Sequence, residues 1–326
     1  MNKLKKIGLT ALGTALVSTS AIAADMAVAG GAKLTLSGGE KATTGNGWTM
    51  TDSMTFRASA DLDNGWTVST AQNLGKGAIN NSNLKVNMGD MGTLEFHSAG
   101  GTSVPGSWDD MMPAANEESW HGLTGASAGT GPIMAAGANG DMFRYSVNVM
   151  DGLDLYGSYS PSDGATAVES SSSYGLQYTG VDGLTIGYAQ GNNSEKVAVT
   201  NGSATASAAG AEIDNTAMFV KYAIDAFTLG IQENDSDSAT TNADQSYRGY
   251  GVSYAVSDDL SISYAQGTVD YELSTASDQE TTAIGVSYTS GGITFSGSMH
   301  DGEDLGGSTS TLNDKKSYEL NIAFAF

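Results

Sequence analysis

Cysteine is absent from the 326 residues, which excludes a disulfide scaffold, thiolate metal centres and cysteine nucleophiles. Histidine is scarce, limited to His97, His121 and His300. A hydrolytic triad needs a histidine placed with serine or aspartate. All three fall at expected strand ends or in loops, outside any recognisable motif, so solvation or a water-lined wall accounts for them better than catalysis. Cations are few as well: 14 Lys and Arg against 36 Asp and Glu give a formal charge of −22. Phosphate binding needs clustered cations, so nucleic acid is not an expected partner. After the N-terminus no run of eighteen apolar residues occurs, and no helical membrane span is expected. Proline numbers 4 against 43 glycines, a balance suited to tight turns and crowded polar interiors.

The N-terminus gives a destination. Lys3, Lys5 and Lys6 precede the apolar run IGLTALGTALV, and Ala21-Ile22-Ala23 supplies small residues of the kind a signal peptidase reads. Residues 1–23 are therefore expected to be a cleaved signal peptide and 24–326 the folded domain; loss of the three lysines takes the net charge near −25.

At the other end, KSYELNIAFAF places Tyr318, Leu320, Ile322, Phe324 and Phe326 on one side of an extended strand, and Ser317, Glu319, Asn321, Ala323 and Ala325 on the other. That pattern fits a wall with lipid outside and water inside. A hairpin repeat runs through the chain: YGLQYTGVDGLTIGYAQG (174–191), YGVSYAVSDDLSISYAQG (250–267) and IGVSYTSGGITFSGSMHDG (284–302). Each is an alternating strand, a tight turn and a second alternating strand. Extended throughout, this template puts tight turns near 61–65, 88–92, 150–152, 180–183, 223–226, 256–259 and 290–292. With the unpaired first strand (AKLTLSGGEK) and the last, it predicts an all-β, sixteen-stranded antiparallel transmembrane β-barrel. Longer polar connections are expected at 43–47, 74–82, 99–140, 161–172, 192–213, 234–245, 268–279 and 300–316.

The connection 99–140 is far longer than a hairpin needs, and such segments usually carry function. Val104, Trp108, Met111, Met112, Trp120, Ile133 and Met134 give it apolar anchors, so it is expected to fold into the barrel and narrow it. Strand parity turns Lys33, Arg57, Lys85, Arg144 and Lys221 inward, with Glu95 among them; a cation facing lipid costs about 2–4 kcal/mol at mid-membrane. Arg248 has outward parity near a strand end and is assigned to the membrane interface. Asp109, Asp110, Glu117 and Glu118 on the long connection either oppose the lumenal cations across a constriction, setting up a transverse field, or sit in solvent at the loop tip. The acid surplus favours a modest cation preference, about twofold per uncompensated charge; the sign reverses if the lumenal cations dominate.

In the order of these features the chain resembles the general-diffusion porins of Gram-negative outer membranes. The early LTLSGGEKA strand, GTLEFHSAGG leading into a long third loop, the hairpin repeat and the terminal aromatic strand carry the likeness. The resemblance implies passive passage of ions and small hydrophilic solutes, a homotrimer surrounded by outer-membrane lipid and lipopolysaccharide, and a third loop acting as an eyelet. It also implies a role for Phe326 in recognition by the assembly machinery; locally, Phe326 is equally a member of an aromatic girdle. Arginine is sparser than a dense basic ladder would need. The rival readings are a substrate-specific channel, whose path would be lined by stacked aromatics, a barrel adhesin, and a secreted β-solenoid. No cofactor is expected; acidic stretches such as NDSDSATTNAD lack calcium-loop spacing and leave room only for loosely held calcium or other divalent cations.

Overall fold

The computed structural model describes residues 25–39, 47–123, 141–161, 170–194, 199–201, 204–206, 212–239 and 241–326. The proposed signal peptide, Ile133 and Met134 lie outside them. The strands are β1 (Asp25–Gly39), β2 (Trp48–Asp61), β3 (Thr67–Gly75), β4 (Ala78–Asn87), β5 (Thr93–Ala99), β6 (Met142–Met150), β7 (Leu153–Ser160), β8 (Ser171–Tyr178) and β9 (Leu184–Ser194). They continue as β10 (Val199–Asn201), β11 (Ala204–Ala206), β12 (Glu212–Ile224), β13 (Phe227–Ser238), β14 (Gln245–Ala255), β15 (Leu260–Tyr271), β16 (Gln279–Ser290), β17 (Ile293–Glu303) and β18 (Lys315–Ala325). β10 and β11 pair only with each other; the rest form one closed antiparallel barrel of 16 strands. It closes where β1 meets β18, with Gly31 opposite Ala325 and Gly39 opposite Ser317. Beyond Gly31, the Gly30 amide donates to the Phe326 carbonyl at 2.7 Å, and the Phe326 amide returns a bond at 3.0 Å. Closure leaves no edge of unpaired amides, which is what a sheet needs in order to stand in lipid.

Alternation divides the wall into two faces. Tyr174, Leu176, Tyr188, Met218, Ile231 and Tyr250 are exposed on one side, while their neighbours Ser173, Ala189, Ala217 and Gln232 are buried on the other. All seven expected tight turns fall between consecutive strands. At 291–292, for example, both central glycines have positive φ, 59° and 82°, the twist that a two-residue hairpin requires.

The polar connections differ more. Where 74–82 was expected to be a loop, β3 and β4 meet at a two-residue turn, with Lys76 at φ 50° and Gly77 at φ 77°. Irregular register at Asn73/Leu74 and Ser82/Asn83 accompanies it. Likewise, β13 runs on to Ser238 and β14 begins at Gln245, inside the expected loop 234–245. Pairing there continues past the apolar band, and outward positions such as Asp235, Asp237 and Ser246 turn polar while the ladder persists. The same extension shortens the expected loops at 192–213, 268–279 and 300–316, and β1 starts at Asp25, ahead of its expected first residue.

Candidate functional site

Residues 101–123 run along the polar face of the wall and are fastened to it strand by strand. The Val104 amide donates to Ser173 Oγ of β8 at 2.9 Å. Gln232 of β13 accepts from the Met111 amide at 2.7 Å, and its Nε2 lies 2.7 Å from the Trp108 carbonyl and 2.8 Å from that of Asp109. Further along, the Ala115 amide donates to Ser263 Oγ of β15 at 2.8 Å, and Asn116 Nδ2 to Ser298 Oγ of β17 at 3.1 Å. Ser119 Oγ meets Thr281 Oγ1 of β16 at 2.9 Å, and Ser317 Oγ of β18 donates to the His121 carbonyl at 3.1 Å. Nearly every partner on the wall is a neutral side chain. Burial of a polar group is tolerated once it is hydrogen-bonded, whereas a buried charge carries a larger desolvation penalty.

Apolar anchors complete the attachment. Trp108 stands edge-on to Tyr156 and to Phe219, ring centroids 5.5 Å apart in both pairs, in a cluster with Val104, Ala189 and Ala217 that Met111 packs against. Trp120 is edge-on to Tyr247 at 5.3 Å. Glycines on the wall make room: a Cβ at Gly175 would come within 2.8 Å of Val104 Cγ1, and one at Gly230 would collide with Pro113 Cδ.

The two halves of the wall differ as a result. Polar-face residues of β8, β9 and β12 to β18 are mostly buried, whereas those of β2 to β4 keep partial exposure or more. Arg57 and Lys85 lie on this open half, on the parity opposite the exposed Met54, Phe56 and Leu84. Lys85 Nζ is 2.6 Å from Glu95 Oε1. Arg144 is the cross-strand neighbour of Glu95 and reaches Ser107 Oγ at 3.4 Å. His97 Nε2 bonds the other oxygen of Glu95 at 3.0 Å. Lys221 lies over the Phe219 ring, 5.5 Å from its centroid.

On the covered half the four loop acids come together. Burial raises the Asp109 carboxyl, and the charge of Glu118 adds to this. For Asp110, burial again raises the carboxyl, as do its hydrogen bond with Glu118 and the charges of Asp109 and Glu117. Glu118 is lowered: burial opposes its ionised form, but the hydrogen bond from Asp110 and one from backbone outweigh it. The two shifts run in opposite directions, so Asp110 keeps its proton to higher pH than Glu118 does. Glu117 is raised by burial and by Glu319, against the pull of His121 and Lys33. Lys33 Nζ lies 3.5 Å from Glu117 and 3.9 Å from Glu319. Glu319, His300, Gln232 and Asn234 were not singled out from the sequence as site residues. Parity of the last strand already put Glu319 on the polar face, but its partner His121 is 198 positions away.

Comparison with known proteins agrees with this architecture. A family model described as Gram-negative porin matches residues 8–295. Comparison with curated protein sequences returns no match. Among solved structures, OmpT of Vibrio cholerae in its trimer form is similar at 12% identity and a TM-score of 0.69, over 93% of this chain and 100% of that one. The anion-selective porin from Comamonas acidovorans is similar at 12% identity and 0.68, over 93% and 100%. Salmonella typhi OmpF in complex with daunomycin gives 13% and 0.69, over 92% and 97%. At such identities the structural likeness shows the fold alone.

Proposed function

The chain belongs to the Gram-negative porin family, outer-membrane β-barrels for passive diffusion, and on that premise we propose that residues 101–123 form the constriction of its channel. Family and fold point to a channel rather than an enzyme. The observation that carries the proposal is the attachment of the loop: it is held to the polar face by Ser173, Gln232, Ser263 and Ser298, leaving β2 to β4, with Arg144 of β6 at their edge, as the open bank of the water path. Arg57, Lys85 and Arg144 line that bank and Asp109, Asp110, Glu117 and Glu118 the opposite one. Ions and small hydrophilic solutes pass between them through a transverse field. Trp108 and Trp120, the aromatics a sugar-stacking path would use, are instead taken up in packing, which weighs against a substrate-specific channel.

Selectivity is modest in this reading. Lys33, Lys85 and Arg144 sit beside carboxylates, so most lumenal charge is compensated, and an uncompensated charge about 8 Å from an ion biases passage about twofold. The acidic surplus of the chain sets the direction towards cations. A relative of the same fold is anion-selective, so the sign belongs to the side chains and not to the barrel. The functional unit is a homotrimer, the form in which OmpT is similar, with its exposed apolar face against outer-membrane lipid and lipopolysaccharide. Calcium or other divalent cations are held loosely at the acidic loops, Phe326 serves as an assembly signal, and residues 1–23 are removed on export.

The test is single-channel recording of the refolded protein in a planar bilayer under a salt gradient. Large, steadily open steps with a small cation-favouring reversal potential are expected. Verified folded barrels that conduct nothing would overturn the proposal and favour an adhesin or a plugged channel.

A further inference from the structure

The turn at the end of the long loop brings three metal-binding side chains together. Glu117, Glu118 and His121 stand at spacings i, i+1 and i+4 on a turn closed by the His121 amide to the Glu118 carbonyl at 3.2 Å. One ligand atom from each lies within 4.8 Å of the others. His121 Nδ1 is 3.4 Å from Glu117 Oε2 and 3.7 Å from Glu118 Oε2. On the opposite side of the ring, Nε2 is 3.0 Å from Glu319 Oε2. In the neutral ring, an ionised Glu319 can only accept, which keeps the hydrogen on Nε2 and turns the Nδ1 lone pair towards the other two carboxylates. Three electron-rich atoms then face one another, an arrangement that calls for a cation between them.

Geometry and donor type narrow the choice of cation. Ligand atoms bound tetrahedrally at about 2.0–2.1 Å from zinc stand roughly 3.3–3.5 Å apart, close to the two separations measured from Nδ1. A carboxylate behind the imidazole is the usual outer support of a metal-bound histidine, fixing its tautomer and raising its basicity. Calcium prefers six to eight oxygens, whereas a mixed imidazole and carboxylate set suits zinc, copper or nickel. The three side chains keep 19%, 28% and 36% exposure, so the remaining coordination position opens to water. His300 lies near, its ring centroid 5.9 Å from that of His121, but its nitrogens are engaged by Ser119 O and Ser298 Oγ.

We propose that Glu117, Glu118 and His121 bind one divalent cation of the zinc class per protomer, and that its arrival lowers conductance. Only the conductance effect rests on the loop being the constriction; the binding site does not. The competing occupant of the gap is a second proton on His121 itself.

The experiment uses the refolded full-length mature barrel at fixed neutral pH. Zinc chloride is titrated by calorimetry, with metal analysis of the dialysed protein, and in parallel during single-channel recording. One zinc per protomer is expected, resisting excess calcium, weakened at least tenfold by His121→Ala and by Glu118→Gln, and unchanged by His300→Ala. Conductance should fall with zinc and recover on adding a chelator. Absence of zinc binding, or binding equally tight in both His121→Ala and Glu118→Gln, would overturn the site and leave the protonated imidazole. Zinc bound in the expected ratio without any change in conductance would uphold the site and overturn the constriction instead.

Discussion

Replacing Gln232 with Leu tests how the loop is held. The amide is buried, at 1% exposure, and a leucine of similar volume leaves no large cavity. It does remove the acceptor for the Met111 amide and the donor to the Trp108 and Asp109 carbonyls. Asp109 O retains Asn234 Nδ2 at 3.1 Å, but Asn234 Oδ1 loses the Gln232 amide that stood 3.0 Å away, so the Met111 amide, the Trp108 carbonyl and Asn234 Oδ1 are left without a partner. At about 1–3 kcal/mol for each unsatisfied buried group, docking around 108–112 weakens by about 3–9 kcal/mol, and every 1.4 kcal/mol is about tenfold in the equilibrium. The aromatic contacts of Trp108 and the bonds of Ala115 and Asn116 remain, so the effect is local detachment and not release of the whole loop.

The assay follows from that distinction. Ladder bonds of the barrel do not involve the Gln232 side chain, so heat-modified mobility on gels should match the parent protein. Single-channel recording should show a larger mean conductance and added open-channel noise, and limited proteolysis should cut near residues 108–112. A folded Gln232→Leu barrel with unchanged conductance, noise and cleavage would refute the account of loop attachment.

Other expectations concern charge, space and assembly. Because the Asp110 carboxyl is raised and Glu118 lowered, Asp110→Asn should move the reversal potential at neutral pH less than Glu118→Gln, the latter by no more than about twofold in permeability ratio towards anions; measured with a chelator present, an equal or opposite order would refute that ordering of the two acids. Cation preference should also decline as salt shortens the roughly 8 Å screening length; a preference constant from low to high salt would place its source in contact binding instead. Gly230→Val has to displace Pro113, so conductance should change in a barrel of normal mobility, and an unaltered channel would mean the loop yields without cost. Deletion of Phe326 removes the paired bonds to Gly30 but little else, so refolding in detergent should persist while the amount in the outer membrane of cells falls; equal cellular levels would deny the residue an assembly role.

The strand count and the seven tight turns were legible because alternation and glycine mark them locally. Outer strand limits were not, because hydrophobicity reports contact with lipid whereas the ladder is a backbone property. Asp235 and Asp237 look like loop residues although they stand in paired β13. Lys76-Gly77 escaped notice because a lysine at positive φ has no strong sequence mark. Inward parity for Lys33, Lys85 and Arg144 could be read from their neighbours, but parity cannot say which carboxylate each one meets. The bond of Gln232 to Met111 spans 121 positions and that of Asn116 to Ser298 spans 182. Contacts of that kind exist only after the barrel has closed.

The division of labour within the loop follows from the cost of burying charge. Backbone groups of Val104, Trp108, Met111 and Ala115 meet neutral Ser and Gln side chains on the wall, so backbone docking there needs no ionised partner. The carboxylates of the same loop are left out of this backbone docking, Glu117 and Glu118 keeping 19% and 28% exposure. Lys33 is the exception, sitting beside Glu117 and Glu319 where the loop ends against the seam between β1 and β18. In the proposed constriction, channel width would depend on Gly230, Gln232 and the aromatic cluster, and ion preference on Asp109, Asp110 and Glu118. Because the two sets hardly overlap, substitution in the second can retune selectivity while the first holds the loop in place.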